Sequence, residues 1–173
     1  MHRVLRNVAA IAALTVAAAP ALAQFPSKPV RMVVPFPAGS ATDTVARILA
    51  PALSQAFGQP VIVENKPGAD GSIAAMEVVR ASPDGHTLLF GTNSPLTAVP
   101  TLRKDPPYSV ADFTPISTAG RYTFFVLVNS AVPAKTLGEL LAYARANPDK
   151  LNYATGNTTG ILSTAQLMSL GNI

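Results

Sequence analysis

The sequence predicts an α/β fold built on a parallel sheet. Three observations indicate it: short apolar runs rich in β-branched residues, amphipathic stretches of helical period between them, and loops of small polar residues that connect the two. Strands that alternate with helices pair in parallel through right-handed crossovers. A folded core is also expected from the composition, because 49% of the 173 residues are hydrophobic and only 13% are charged.

The first 23 residues have the pattern of a secretory signal peptide. Arg3 and Arg6 supply positive charge, residues 8–19 form an apolar run, and Ala21-Leu22-Ala23 fits a small-x-small cleavage site. A membrane anchor is the alternative, but the run is shorter than the roughly 20 residues that a spanning helix needs, and a proline interrupts it. We therefore expect residues 1–23 to be removed and the remainder to be exported.

The first strand and helix follow this leader directly. Residues 30–34 form a short β-branched run that is typical of a strand buried on both faces. Apolar residues then recur at helical spacing, and Gly58 is a suitable helix stop. Pro51 lies inside this helix, where we expect a kink. The predicted buried face of the helix comprises Val45, Ile48, Leu49, Ala52, Leu53, Ala56 and Phe57.

The same unit then repeats. Residues 61–63 predict a second strand, and a glycine-rich loop leads into a short helix over residues 72–81. A turn over residues 82–85 precedes a third strand at residues 87–90. The predicted buried residues of the short helix are Ile73, Ala74, Met76 and Val78.

The second half of the chain predicts the start of another αβ unit. Prolines spread over residues 92–115 oppose a long helix or strand, so this stretch is either functional or a crossing between lobes. Residues 122–128 and 151–154 predict strands. A helix follows each of them: Thr136 opens a capping box for the first, and the second begins near Ile161.

The residue types exclude several classes of site. With no cysteine and two histidines, the chain cannot use a disulfide scaffold, a Cys nucleophile or a His-based metal cluster. It also lacks the sequence motifs of nucleotide-binding loops, serine hydrolases and zinc proteases. The net charge of +4 is small and scattered, which does not indicate nucleic-acid binding.

The individual titratable residues are expected to have structural roles. His86 follows a turn and is expected to be exposed. Asp43 and Glu64 are expected to be salt-bridged or capping groups. We expect no catalytic residue, metal or cofactor.

Two polar loops at the carboxyl ends of strands are the candidate binding site. Residues 37–43 and 155–160 each precede a predicted helix, and open α/β sheets bind ligands at this edge. A helix N-terminus offers free N–H groups and the positive end of the helix dipole, which suit a carboxylate. The alternative is that both are ordinary loops with helix caps. The hydroxyl donors in these loops are Ser40, Thr42, Thr158 and Thr159.

Four stretches, in order along the chain, resemble the signatures of the Bug family, the extracytoplasmic solute receptors of tripartite tricarboxylate transporters. They are residues 29–43, 58–69, 82–89 and 151–156, and the resemblance extends over residues 25–170. It implies a periplasmic-binding-protein fold of the type II-like class, with two αβ lobes and a ligand cleft between them.

The resemblance also implies a domain organisation and a function. The domains would be the signal peptide at 1–23, the first αβ lobe at 24–120 and the start of an incomplete second lobe at 121–173. The function would be periplasmic capture of a small carboxylate for the membrane transport subunits, without a cofactor or nucleic acid. A ligand sensor or interaction protein of the same fold is the alternative. An exported α/β enzyme is disfavoured, because no nucleophile–base set is present.

Family members grip a carboxylate largely through backbone groups and bridging waters in such loops. Asp43 is unusual there because it places a negative charge beside an anion site. It either caps its own helix, which we favour, or meets water or a ligand ammonium group. Carried over by position, the expected binding residues are Pro37, Ala38, Gly39, Ser40, Thr42 and Asp43 in the first loop, Thr92 and Ser94 after the third strand, and Thr155, Gly156, Asn157, Thr158 and Thr159 in the second-lobe loop.

Overall fold

The computed structural model describes residues 25–173. The predicted signal peptide lies outside the described residues. Within the described range, three strands form one parallel sheet in the order β2-β1-β3. The strands are β1 (Val30–Val34), β2 (Val61–Asn65) and β3 (Thr87–Leu89). The predicted parallel α/β architecture is confirmed.

The central strand β1 forms the middle of the core. Val30, Met32 and Val34 pack towards one face of the sheet, and Val33 is fully buried on the other. β1 buries valines on both faces because it has a strand on either side and a helix above and below. Its β-branched run predicts this arrangement, with Arg31 as the one charged residue of the strand.

Helix α1 (Ala41–Phe57) covers one face of the sheet, but through a different stripe from the predicted one. Ala46 and Ala50 are buried against the sheet, whereas Ile48, predicted to be buried, is 69% exposed. The two stripes overlap at Leu53 and Phe57, so helical spacing alone did not distinguish them. Small alanines let the helix lie close to the β-branched sheet. The helix continues through Pro51.

Helix α2 (Ser72–Arg80) packs on the opposite face. Its alanines Ala74 and Ala75 are buried, while Ile73 is half exposed, contrary to the prediction. A wide helical turn at Ser94–Ala98 follows β3 and leads into the short helix α3 (Val99–Leu102).

The chain beyond residue 120 contains two helices and neither of its predicted strands. Helix α4 (Leu137–Ala146) is capped by Thr136, whose Oγ1 accepts from the Glu139 amide, and α5 (Thr158–Gly171) follows it. Residues 122–128 and 151–154 are not strands. A strand needs a neighbour to satisfy its backbone groups, and no strand among the described residues pairs with these two segments. Leu127, for example, is 87% exposed.

His86 is buried rather than exposed. Only 7% of its surface is accessible, and its ring meets that of Phe25 edge to face at 4.9 Å between centroids. Its Nε2 accepts from the Ser27 amide at 3.3 Å. The residues that cover His86 lie about sixty positions earlier in the chain, which a local sequence pattern cannot indicate.

Among the described residues, no helix has both the length and the apolar character needed to cross a membrane.

Candidate functional site

The loop after β1 opens helix α1 with a well-formed cap. Ser40 Oγ accepts from the Asp43 amide at 3.3 Å, and the Ser40 carbonyl accepts from the Thr44 amide at 2.9 Å. The amides of Ala41 and Thr42 lie in the first turn, where a helix offers no internal acceptor. They are therefore available to an anion, at the positive end of a 17-residue helix.

Asp43 does not face this loop as a free carboxylate. It is 2% exposed and accepts hydrogen bonds from the Gly39 amide at 2.8 Å, Arg47 Nε at 3.0 Å and Asn65 Nδ2 at 2.8 Å. The Arg47 guanidinium, assisted by the amides of Gly39 and Asn65, lowers the pKa of this carboxyl to about 2. The Asp43 carboxylate is therefore occupied by contacts within its own loop, helix and neighbouring strand, and Arg47 balances its charge, whereas the N-cap of the helix is Ser40.

Arg47 and Asn65 were not among the predicted site residues. The spacing of Asp43 and Arg47, four positions apart on a helix, is a signal that could have suggested their ion pair. Asn65 lies 22 residues from Asp43 and gives no such local signal.

The second-lobe loop also forms a helix cap. Asn157 precedes α5 and its Oδ1 accepts from the Gly160 amide at 3.0 Å. The hydroxyls of Thr158 and Thr159 are buried and have no hydrogen-bond partner among the described residues. Thr155 and Gly156 lie exposed ahead of the cap.

Ser94 provides a third unpartnered hydroxyl. The residue is 1% exposed, and its Oγ has no partner among the described residues. The turn that carries it, Ser94–Ala98, contacts α5, the helix of Thr158 and Thr159. Buried hydroxyls normally find a partner, so these three hydroxyls have unused hydrogen-bonding capacity on two elements that contact each other.

Gly71 brings the loops after β1, β2 and β3 together. It has a φ of +88°, and a Cβ there would lie 2.9 Å from Pro35 Cβ and 3.0 Å from Pro95 Cβ. Pro35 follows β1 directly, and Pro95 belongs to the turn after β3. The carboxyl edge of the sheet is thus compact around Gly71. Pro37 and Ala38 lie exposed in the loop after β1, and Thr92 is partly buried ahead of the Ser94 turn.

A surface cavity lies elsewhere on the described part of the chain. It has a volume of about 670 Å³ and is lined by Arg31, Ile73, Glu77 and Arg80, among others, and by none of the predicted site residues. Within the same range, no group of three or more His, Asp and Glu side chains is placed to hold a metal ion.

The family model of the tripartite tricarboxylate transporter family receptor, TctC, matches residues 45–170. The chain belongs to this family. A UPF0065 protein of Bordetella pertussis is 40% identical over 151 residues, which are 87% of this chain and 47% of the relative.

Two solved structures resemble this TctC-family chain in fold. MatC of Rhodopseudomonas palustris, solved with bound malate, is 34% identical with a TM-score of 0.69, over 86% of this chain and 52% of its own. An R. palustris protein solved with adipate is 28% identical with a TM-score of 0.71, and the match covers 86% of this chain and 51% of that protein. The periplasmic-binding-protein fold and the family resemblance are therefore confirmed. The chain spans about half the length of these relatives.

Proposed function

We propose that this TctC-family chain belongs to a periplasmic receptor that captures a small carboxylate and delivers it to the membrane subunits of a tripartite transporter. The observation that carries the proposal is the set of unpartnered buried hydroxyls of Ser94, Thr158 and Thr159 on two contacting elements. The malate and adipate bound by the two solved relatives, both dicarboxylates, support this ligand class.

The chemistry of the two helix starts fits a carboxylate. In the first loop, the amides of Ala41 and Thr42 donate to one carboxylate group at the positive end of α1. In the second loop, the hydroxyls of Thr158 and Thr159 donate at the start of α5, directly or through a bridging water. Because Arg47 balances the charge of Asp43, the first loop does not repel an anion.

We also propose a location and a domain organisation for this receptor. Residues 1–23 act as a cleaved signal peptide, which places the receptor in the periplasm. Residues 24–120 form the first αβ lobe, and residues 121–173 belong to the second. The fold of the described part, with its three-stranded sheet ending before residue 90, is consistent with this division.

Isothermal titration calorimetry of the purified protein with malate and adipate tests the ligand class. We expect saturable binding, and a loss of about tenfold or more in affinity when Thr158→Val and Thr159→Val are combined, because each lost hydrogen bond to a charged group weakens binding. The matched control is Thr97→Val. Thr97 lies in the Ser94–Ala98 turn, and its hydroxyl donates to the Asn93 carbonyl.

The calorimetry tests the role of the second loop separately from the ligand class. Unchanged affinity in the double valine variant, with an unchanged melting midpoint, removes the second loop from the site. An absence of binding by the unmodified protein to both dicarboxylates contradicts the ligand class itself.

A further inference from the structure

The side chain of Asn65 joins the two ends of the first binding loop. Asn65 is the last residue of β2, paired in register with Val34 at the end of β1. Its Nδ2 donates to the Phe36 carbonyl at 3.0 Å, just before the loop, and to Asp43 Oδ1 at 2.8 Å, just after it. One amide group therefore spans the whole segment 37–42.

The orientation of this amide is fixed by a third contact. Asn65 Oδ1 accepts from the Arg47 guanidinium at 2.8 Å, while Arg47 Nε donates to the Asp43 carboxylate. A flipped amide would place its NH₂ group against the guanidinium and its oxygen against two acceptors. The three side chains form a closed, charge-balanced network with one arrangement of donors and acceptors.

The Asp43 carboxylate transmits this arrangement to the loop backbone. Its Oδ2 accepts from the Gly39 amide at 2.8 Å. Gly39 lies in the same segment as Ala41 and Thr42, whose amides are free in the first turn of α1. The network thus takes up the Gly39 N–H and leaves the first-turn amides of α1 for an anion.

We infer that Asn65 is a positioning residue for carboxylate binding: by joining Phe36 to Asp43, it holds loop 37–42 in the conformation that presents the amides of Ala41 and Thr42. The inference rests on the proposed function. The network also affects specificity. Because three groups already donate to the Asp43 carboxylate, it cannot pair with an ammonium group on a ligand.

The test compares Asn65→Ala with Asn129→Ala, which changes an exposed asparagine whose side chain accepts from a turn amide, that of Ala131. We expect Asn65→Ala to lower malate affinity about tenfold and Asn129→Ala to leave it unchanged. Without Asn65, the loop no longer holds the amides of Ala41 and Thr42 in position to donate to malate. Asn65→Asp keeps the shape but removes both donors, and should weaken malate binding at neutral pH with partial recovery as the pH falls and the new carboxyl gains a proton.

A second measurement does not need a ligand. In the apo protein, hydrogen exchange at the Gly39 amide should be faster in Asn65→Ala than in the unmodified protein, because Asp43 loses its support. The same amide should be unaffected in Asn129→Ala. If Asn65→Ala does not fold, Asn65→Asp is measured in the same two ways.

Unchanged Gly39 exchange, or unchanged malate affinity in a folded Asn65 variant, overturns the inference. Failure of the unmodified protein to bind malate and adipate contradicts the proposed function instead, and the exchange at Gly39 then decides whether Asn65 orders the loop.

Discussion

Arg31 on β1 and Glu64 on β2 form a two-point ion pair across neighbouring strands. Arg31 Nε donates to Glu64 Oε1 at 2.9 Å, and a terminal nitrogen of the same guanidinium donates to Glu64 Oε2 at 2.7 Å. The guanidinium also pairs with Glu77 on α2. One cation therefore links two strands of the sheet to the helix that covers it.

Removal of this cation should destabilise the fold. Arg31→Met leaves two carboxylates facing each other beside Lys66 and should lower the free energy of unfolding by about 1 kcal/mol, a modest value because the pair is partly solvated. Urea denaturation measures it. Lys28→Met, which breaks a more exposed pair with Asp84, is the matched control and should cost less. Equal losses in the two variants would contradict the linking role of Arg31.

The same cluster predicts a pH dependence. Hydrogen bonds from Arg31 lower the pKa values of Glu64 and Glu77 below their ordinary value of 4.5. A carboxyl whose pKa is lower in the folded state stabilises the fold above its unfolded pKa, and that contribution is lost as the pH falls through the folded pKa. Melting midpoints should thus decline below about pH 4.5, and the combined variant Glu64→Gln and Glu77→Gln should decline less steeply. A parallel decline would rule out these two groups as its source.

Gly71 should be intolerant of any side chain. Its φ of +88° disfavours L-residues, and a Cβ would come within 3.0 Å of both Pro35 and Pro95. Gly71→Ala should therefore destabilise by about 2 kcal/mol or more, from strain and overpacking together. Gly58→Ala provides the comparison, because Gly58 also has a positive φ, of +66°, but open space around it. Thermal unfolding that ranks Gly58→Ala as the more damaging change would contradict the close packing at Gly71.

The orientation of α1 can be tested by substitutions on its two stripes. Ala50→Leu adds bulk to the buried face and should destabilise by about 1–3 kcal/mol, whereas Ala52→Leu on the exposed face should change stability by less than about 0.5 kcal/mol. Chemical denaturation of both variants measures the difference. The reverse order would support the stripe that helical spacing first predicted.

Sequence patterns were sufficient to identify the central strand and two helix caps. The β-branched run at residues 30–34, in which Arg31 is the one charged residue, identified the central strand, because such a run is typical of a strand buried on both faces. The cap residues Ser40 and Thr136 were also predictable, since capping depends on spacing within a few residues.

The remaining features depend on contacts between distant parts of the chain. The rotation of α1 is fixed by its small alanines against the sheet and by Asp43, which is held by Asn65. The burial of His86 depends on Phe25 and Ser27. In the candidate site, the loops were predictable from residue types, but the role of Asn65 required the strand register that brings it beside the start of α1.

The most direct test of carboxylate capture is NMR titration of the isotope-labelled protein with malate, following the backbone amides of Ala41 and Thr42. We predict saturable, concentration-dependent shifts of both resonances, while the amide of Val126, in the exposed segment 122–128, does not move. Unchanged Ala41 and Thr42 resonances in the presence of bound malate would contradict the assignment of the first loop as the carboxylate site.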